Sequence, residues 1–323
     1  MSILTNITWV SEEQKISEWD YAKQHLFKNG KLLPDGTKLR RKDHGDHLQH
    51  SFIVLNGTIM AMAPKGEHLG KGSYAHAKLA EDDKGGLWAI KIAKRADSYG
   101  EEATAIDLQK AVKSSLRKMK EGGYKSYLPC KYLGQTLDVY LREHPYNLSD
   151  AFRMAYKLCI VLNELHSGVL SLTEQRYIHH DFHEENVTVD AEDNFHLIDF
   201  GRTYKITADT QEAQNREIAA SLDLSRLCNV IKNLLLNATD INPGIRQLIE
   251  DRDNGNYDTM NDYFPEKTDP NRQLNWLISD LIYWPSFNGP RSIEKIQEIL
   301  KQTEKKFMDF AQSVSQGQSP RAI

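Results

Sequence analysis

The chain is poor in cysteine. Cys130, Cys159 and Cys228 are the only three in 323 residues, far apart and in apolar surroundings. An odd, scattered set excludes a disulfide framework and fits reduced thiols in a cytoplasmic compartment. No stretch approaches the roughly 18 consecutive apolar residues of a membrane span. The N-terminus has no basic region leading into an apolar core, so no secretory signal is expected. Positive charge is not in excess either: 41 Lys and Arg against 45 Asp and Glu leave a net charge of −4, which argues against a nucleic-acid partner. Internal repeats and low-complexity tracts are lacking. What is present, 40% hydrophobic and 27% charged residues, suits a globular chain with material for one large or two ordinary domains.

Chemistry concentrates in residues 177–202, YIHHDFHEENVTVDAEDNFHLIDFGR. Asp181 is followed five residues later by Asn186, and thirteen after that by Asp199, which opens Asp199-Phe200-Gly201. The intervening VTVD-AEDN-FHLID has the pattern of a hairpin. Two acids and an amide so spaced suit phosphoryl transfer: one carboxylate orients the attacking hydroxyl, while the amide and second carboxylate hold a hard cation against nucleotide phosphates. An isolated aspartate here would only cap a turn; three groups in register argue for more. The block resembles the catalytic and metal-binding loops of the protein kinase superfamily. The resemblance implies ATP as donor, Mg²⁺ or Mn²⁺ on Asn186 and Asp199, Asp181 as catalytic acid–base, and a structural His179 packed under the Asp-Phe-Gly turn.

Upstream, SFIVL and TIMAMA flank Asn56-Gly57, a strong hairpin signal. A strand–glycine-loop–strand–turn–strand pattern follows, with Gly70, Lys71, Gly72, Ser73 and Tyr74 in the loop and Lys91 inside LWAIKIA. This unit is similar to a kinase glycine-rich loop and its Ala-Ile-Lys strand. That similarity implies that the loop covers the phosphates and that Lys91 contacts the α- and β-phosphates. Ala75 departs from the pattern, which has a third glycine there.

Residues 98–121 read as an amphipathic helix with Ala105, Leu108, Val112, Leu116 and Met119 at helical spacing. Kinases pair the strand lysine with a glutamate near the start of such a helix, and both Glu101 and Glu102 qualify. A capping box from Ser98 would occupy Glu101, whereas the apolar phase favours it. Lys110, Lys113, Arg117, Lys118 and Lys120 would gather on or near the opposite face. A solvated surface explains them; so does a site for a polyanion, an inositol polyphosphate or phosphoinositide, that switches the enzyme on. Residues 128–131, with Leu128 and Cys130, look like the hinge that meets adenine. So little chain precedes it that the small lobe is expected to lack a strand. Ser149-Asp150 opens a long buried helix.

Beyond the Asp-Phe-Gly turn the family pattern thins. No Ala-Pro-Glu follows, and Asp223, on a helix expected to prop the catalytic loop, comes only about twenty residues after Gly201. His180 stands where many protein kinases have the arginine that receives a phosphorylated loop. Activity is therefore expected not to depend on phosphorylation of Thr203, Tyr204, Thr207 or Thr210. His183 stands where serine/threonine kinases usually have a lysine; a histidine resembles the aminoglycoside and choline kinases and, protonated, would donate to the phosphoryl oxygen. Asp43, His44, Asp46, His47 and His50 read as a polar loop rather than a metal site.

The expected fold is α+β, a bilobal protein-kinase-like architecture with a small β-rich N-lobe and a larger helical C-lobe. Its divisions are an extension over 1–50, the N-lobe over 51–128, the C-lobe over 129–312 and a polar tail over 313–323. The hairpin before the glycine loop and the missing Ala-Pro-Glu look similar to kinases that intracellular bacteria of the Legionella type deliver into host cells. That would imply a protein serine/threonine substrate in a eukaryotic cytosol. Alternatives are a small-molecule kinase, a pseudokinase scaffold, or AMP transfer.

Overall fold

Ser11 starts the first helix, α1 (Glu12–Leu26), by accepting the Gln14 amide at 3.2 Å. The structure, a computed structural model, describes residues 7–64, 68–71, 75–93, 99–118, 123–207, 210–254, 263–264, 269–283 and 293–315. After α1 come a small hairpin, β1 (Phe27–Lys28) and β2 (Lys31–Leu32), and then β3 (Lys38–Leu39), β4 (Ser51–Leu55) and β5 (Thr58–Met62). The β4–β5 turn forms as its residues predict: Asn56 and Gly57 have φ of 50° and 69°. The Asp35 carboxylate accepts both of their amides. Next are β6 (Gly70–Lys71), β7 (Ala75–Asp82), β8 (Leu87–Ala93), helix α2 (Tyr99–Asp107), β9 (Ser115–Lys118) and β10 (Tyr124–Lys131). The strands pair antiparallel in the order β3-β4-β5-β7-β8-β10-β9, with β6 on β7.

Both faces of this sheet are covered, which is why 52–55, FIVL, is continuously apolar instead of alternating. Phe52 and Val54 face a cluster with Trp19, Ala22, Leu26 and Leu48; Ile53 and Leu55 face Met60, Met62, Ile90, Ile92 and Tyr127. Trp19 meets Phe52 edge-on at 5.0 Å. The N-terminal residues expected to stand apart as an extension thus supply one wall of the sheet's core. The compact unit runs over Met1–Gln135, together with Leu170–Thr173 and Asp199–Gly201, so neither residue 50 nor residue 128 is a boundary.

The helix expected over 98–121 is corrected. α2 stops at Asp107. Gln109 turns into the left-handed region (φ 57°), and the Lys110 and Ala111 amides close back on the Ala105 carbonyl. Ala111 bridges Cys130, and β9 pairs with β10 from Ser115↔Tyr127 to Lys118↔Tyr124. Cross-strand pairing with β10 overrides the helical spacing of Val112 and Leu116. The strand thought missing is β9 itself.

The second unit holds Thr136–Val169, Glu174–Ile198 and Arg202–Ile323. At its start lie β11 (Gln135–Thr136), α3 (Leu137–Glu143) and α4 (Leu148–Ser167), the last opened by a reciprocal Asn147–Asp150 capping box. α4 ends at Gly168 (φ 85°), where a Cβ would fall 2.7 Å from the Glu174 carbonyl oxygen. Short strands follow, β12 (Tyr177–Ile178), β13 (Val187–Val189), β14 (Phe195–Leu197) and β15 (Tyr204–Lys205); β13 pairs with β14 and β12 with β15. Then come α5 (Thr210–Asn237), α6 (Pro243–Asp253), α7 (Pro270–Tyr283) and α8 (Ile293–Ser315). α4 packs on α5 and α8, and α7 on α5 and α8. The chain is therefore mixed α/β, sheet-rich first and helical after, consistent with the bilobal kinase-like fold. No helix among the described residues is long and apolar enough to cross a membrane.

Candidate active site

In the N-terminal unit Lys91 lies mid-strand on β8, paired with Ala77 on one side and Leu128 on the other. Its ammonium donates to Glu101 Oε1 at 2.6 Å and to Asp199 Oδ1 at 2.8 Å. Burial works against the Lys91 charge, but Glu101 and Asp199 outweigh it and raise its pKa above the usual lysine value. Glu102 points elsewhere, accepting the Ser114 amide at 2.9 Å and the Ser114 hydroxyl at 2.6 Å. Of the two glutamates the sequence left open, Glu101 is the lysine's partner and Glu102 ties down the chain after α2. Ser98, the supposed cap, lies outside the described residues.

Asp199 sits in the left-handed region (φ 59°), a cost that an aspartate bears better than a branched residue. Space at Gly201 is tight: a Cβ there would stand 3.3 Å from Asp199 Oδ1 and 3.8 Å from Glu101 Oε2. Gly70 and Lys71 form β6, paired with Ala77 and His76. Gly72, Ser73 and Tyr74 lie outside the described residues. Ala75 opens β7 as an ordinary strand residue opposite Ala93, so no third glycine is demanded there.

The hinge expected over 128–131 is corrected. Leu128 and Cys130 are inside β10, and Leu128 is buried. The Pro129 carbonyl accepts the Val112 amide, and the Lys131 amide donates to the Lys110 carbonyl. These backbone groups are engaged in the sheet and do not form a free adenine edge. Burial pushes the Cys130 thiol up to about 12, so it is an inert neutral group.

In the C-terminal unit the block 177–198 is assembled around Asp223 of α5. This fully buried carboxylate accepts the amides of His179 (2.7 Å) and His180 (2.8 Å) and meets His166 Nε2 at 3.0 Å. His179 Nε2 lies 3.0 Å from the Ile198 carbonyl oxygen, which makes it the structural histidine expected. His180 takes a left-handed φ of 60°. Asn186 Nδ2 donates to the Asp181 carbonyl and to His183 Nε2, each at 2.9 Å. With Nδ2 so engaged, the Asn186 amide has its Oδ1 to offer a cation. His183 Nε2 also stands 4.0 Å from Asp181 Oδ2. The β13–β14 turn is held by Asp190, which accepts from Glu192, Asn194 and His196. Those bonds outweigh burial and depress its pKa to about 2.

The sequence reading missed two residues. Arg226 Nη1 donates to the His180 carbonyl at 2.6 Å and to Asp181 Oδ1 at 3.2 Å; Arg202 Nη1 stands 3.4 Å from the same oxygen. Arg226 follows Asp223 by three on one helix face, a signal that was legible once Asp223 had been assigned. Arg202 directly follows the glycine of the Asp-Phe-Gly turn.

The basic residues supposed to share a helix do not. Lys110 is in the turn after α2, Lys113 is in the following loop, and Arg117 and Lys118 are adjacent on β9, facing opposite ways. Lys120 is outside the described residues. A different cationic group emerges. Lys38 on β3 is depressed to about 8 by burial and by its neighbours Lys78, Arg117, Arg40 and Lys125. The 43–50 histidines are held within the fold: His44 Nδ1 is 3.1 Å from the Tyr21 hydroxyl, His47 stacks on Tyr21, and His50 contacts buried Glu18. Among the described residues no cluster of His, Cys, Asp and Glu could hold a metal ion.

No protein-family profile matches the chain. It is similar to "NUAK family SNF1-like kinase 2" of Rattus norvegicus, 27% identical over 188 residues, covering 54% of this chain and 27% of that protein. The proteins of the same name from Pongo abelii and Homo sapiens are 27% identical over 187 residues. The chain thus spans about a quarter of the length of the curated relatives it matches. These similarities support a relationship to the protein kinase superfamily.

Proposed function

We propose that the chain is an ATP-dependent phosphotransferase that moves the γ-phosphoryl group to a serine or threonine hydroxyl of a protein. The observation that carries this reading is Lys91, bonded at once to Glu101 and to Asp199. A lysine held by one carboxylate from a helix and one from an Asp-Phe-Gly turn is the arrangement that phosphate positioning in kinases needs. In this reading Lys91 binds the α- and β-phosphates and Glu101 keeps its ammonium in place. Asp199 and Asn186 would hold Mg²⁺ or Mn²⁺, whose chemistry is to neutralise phosphate charge; a carboxylate and an amide oxygen fit such hard cations. Asp181 accepts the proton of the attacking hydroxyl, and Asn186, bonded to its carbonyl, keeps the loop in register. The relatives' name is that of a kinase, which supports phosphoryl transfer. His183 and the short run from Gly201 to Asp223 favour the second reading, a small-molecule kinase.

Two finer points belong to the same proposal. Delivery into a host cytosol rests on the resemblance alone. Activation by a polyanion such as an inositol polyphosphate now rests on Lys38 and the cations around it instead of on a helix face. Incubation with γ-labelled ATP, a basic protein and Mn²⁺ tests the main reading, with aminoglycoside and choline as competing acceptors. Label on protein supports it; label on a small acceptor alone overturns it in favour of the second.

A further inference from the structure

Phosphoryl transfer places negative charge on the oxygens of the group in flight, and a cation beside the acceptor carboxylate is needed to meet it. Position 183 holds a histidine, 2.9 Å from Asn186 Nδ2, in place of a fixed cation. Two guanidiniums instead converge on Asp181, both on Oδ1. They are not equivalent. Arg226 is anchored twice, to the His180 carbonyl and to Asp181, and rises from α5 three residues after the buried Asp223. Arg202 has one long contact of 3.4 Å and a side chain that is 65% exposed.

We propose that Arg202 is a catalytic residue that leaves Asp181 Oδ1 to bind the transferring phosphoryl group, while Arg226 stays and positions the aspartate. The inference rests on the phosphotransfer reading above. Backbone pairing builds the placement: β12 and β15 are antiparallel with Ile178 opposite Tyr204, and the Ile206 amide donates to the Arg176 carbonyl at 2.9 Å. The chain leaving β12 toward Asp181 therefore runs beside the chain that carries Arg202 into β15. Both guanidiniums meet the same oxygen, and the single long, exposed contact of Arg202 is the one a phosphate can displace. Asp181 Oδ2 lies 4.0 Å from His183 Nε2, too far for a hydrogen bond, and is the oxygen open to the acceptor hydroxyl. In the step, the acceptor oxygen bonds to the γ-phosphorus as the bond to the β–γ bridging oxygen breaks. The hydroxyl proton passes to Asp181 Oδ2, ADP departs with the bridging oxygen, and the Arg202 guanidinium stays charged throughout.

The test combines Arg202→Ala, Arg202→Lys and the double variant Arg202→Ala/His183→Lys. Steady-state kinetics are read beside the affinity for Mg-ADP with and without fluoroaluminate, which mimics the phosphoryl in flight. Arg202→Ala is expected to lower kcat about 10²-fold with the KM for ATP within about threefold, because the cation acts on the transition state and not on ground-state nucleotide. Fluoroaluminate complex affinity should fall alongside kcat, with ADP affinity unchanged. Arg202→Lys should retain most of the rate, and lysine at 183 should restore at least about tenfold to the alanine variant. Unchanged kcat and unchanged fluoroaluminate affinity in Arg202→Ala overturn the inference, and so does a loss confined to KM. If Asp199→Ala abolishes turnover while Arg202→Ala does not, phosphotransfer stands and Arg202 has no part in it. If the unsubstituted chain fails to bind ATP, both fall together.

Discussion

Two clusters, one in each compact unit, are built on opposite charge patterns. In the N-terminal unit a single cation, Lys91, is shared by two carboxylates, Glu101 and Asp199. In the C-terminal unit a single carboxylate, Asp181, is shared by two cations, Arg202 and Arg226. The first gathers two carboxylates on one ammonium; the second gathers two guanidiniums on one carboxylate oxygen. Contrast the carboxylates that only hold structure. Asp223 and Glu18 are almost wholly buried, and each takes up backbone amides as well as a histidine. Asp199, by comparison, keeps a side chain 48% exposed. Partly exposed groups are those left available for chemistry.

Removing the shared cation breaks the contrast most severely. Lys91→Met leaves Glu101 and Asp199 facing each other without their ammonium, and turnover with ATP should fall by about 10²-fold or more. Kinetics near the parent rate would remove Lys91 from the mechanism. The paired glutamates sharpen the point. Glu101→Gln weakens the hold on Lys91 and should lower kcat about tenfold. Glu102→Gln should spare the rate, and losing a charge-assisted bond to the Ser114 amide should cost about 1–2 kcal/mol in chemical denaturation. Equal kinetic losses in the two variants would contradict the assignment of roles.

In the second cluster Arg226→Met removes the brace between His180 and Asp181, and a loss of about tenfold in kcat with little change in the KM for ATP is expected. The smallest effect concerns Lys38. Its folded pKa is lowered to about 8, and a bound polyanion would favour its protonated form. Below pH 8 the proton is already present; above it, binding must take one up. Affinity for inositol hexakisphosphate should therefore hold below pH 8 and fall by at most about tenfold per pH unit above it. Calorimetry that shows no pH dependence between 7 and 9.5 would exclude Lys38 from any such site.

The elements of residues 177–202 were legible because their signals are local. A hairpin between Asn186 and Asp199 and a fixed Asp–Asn spacing need no distant partner to be read, and the fold class followed from them. The Asn56-Gly57 turn was legible for the same reason. Residues 98–121 misled because Ala105, Leu108, Val112 and Leu116 repeat at helical spacing, while the deciding force is pairing with β10, which no local pattern announces. The same non-local strand absorbed the expected hinge. The first fifty residues look polar in line, yet Trp19, Ala22, Leu26 and Leu48 are brought together only once the sheet exists to receive them. Arg226 was within reach of the sequence once Asp223 had been assigned, but Arg202 could not be placed on Asp181 without the register of β12 and β15.

The central claim is that Asp199, beside Lys91, supports metal-dependent phosphoryl transfer. The most direct measurement is turnover of γ-labelled ATP with Mg²⁺ or Mn²⁺, comparing the unsubstituted chain with Asp199→Ala, with folding of both checked by circular dichroism. The account predicts label transfer that depends on the metal and falls by at least about 10²-fold in the folded variant. Equal transfer by the two proteins, or transfer that ignores the metal, would contradict it.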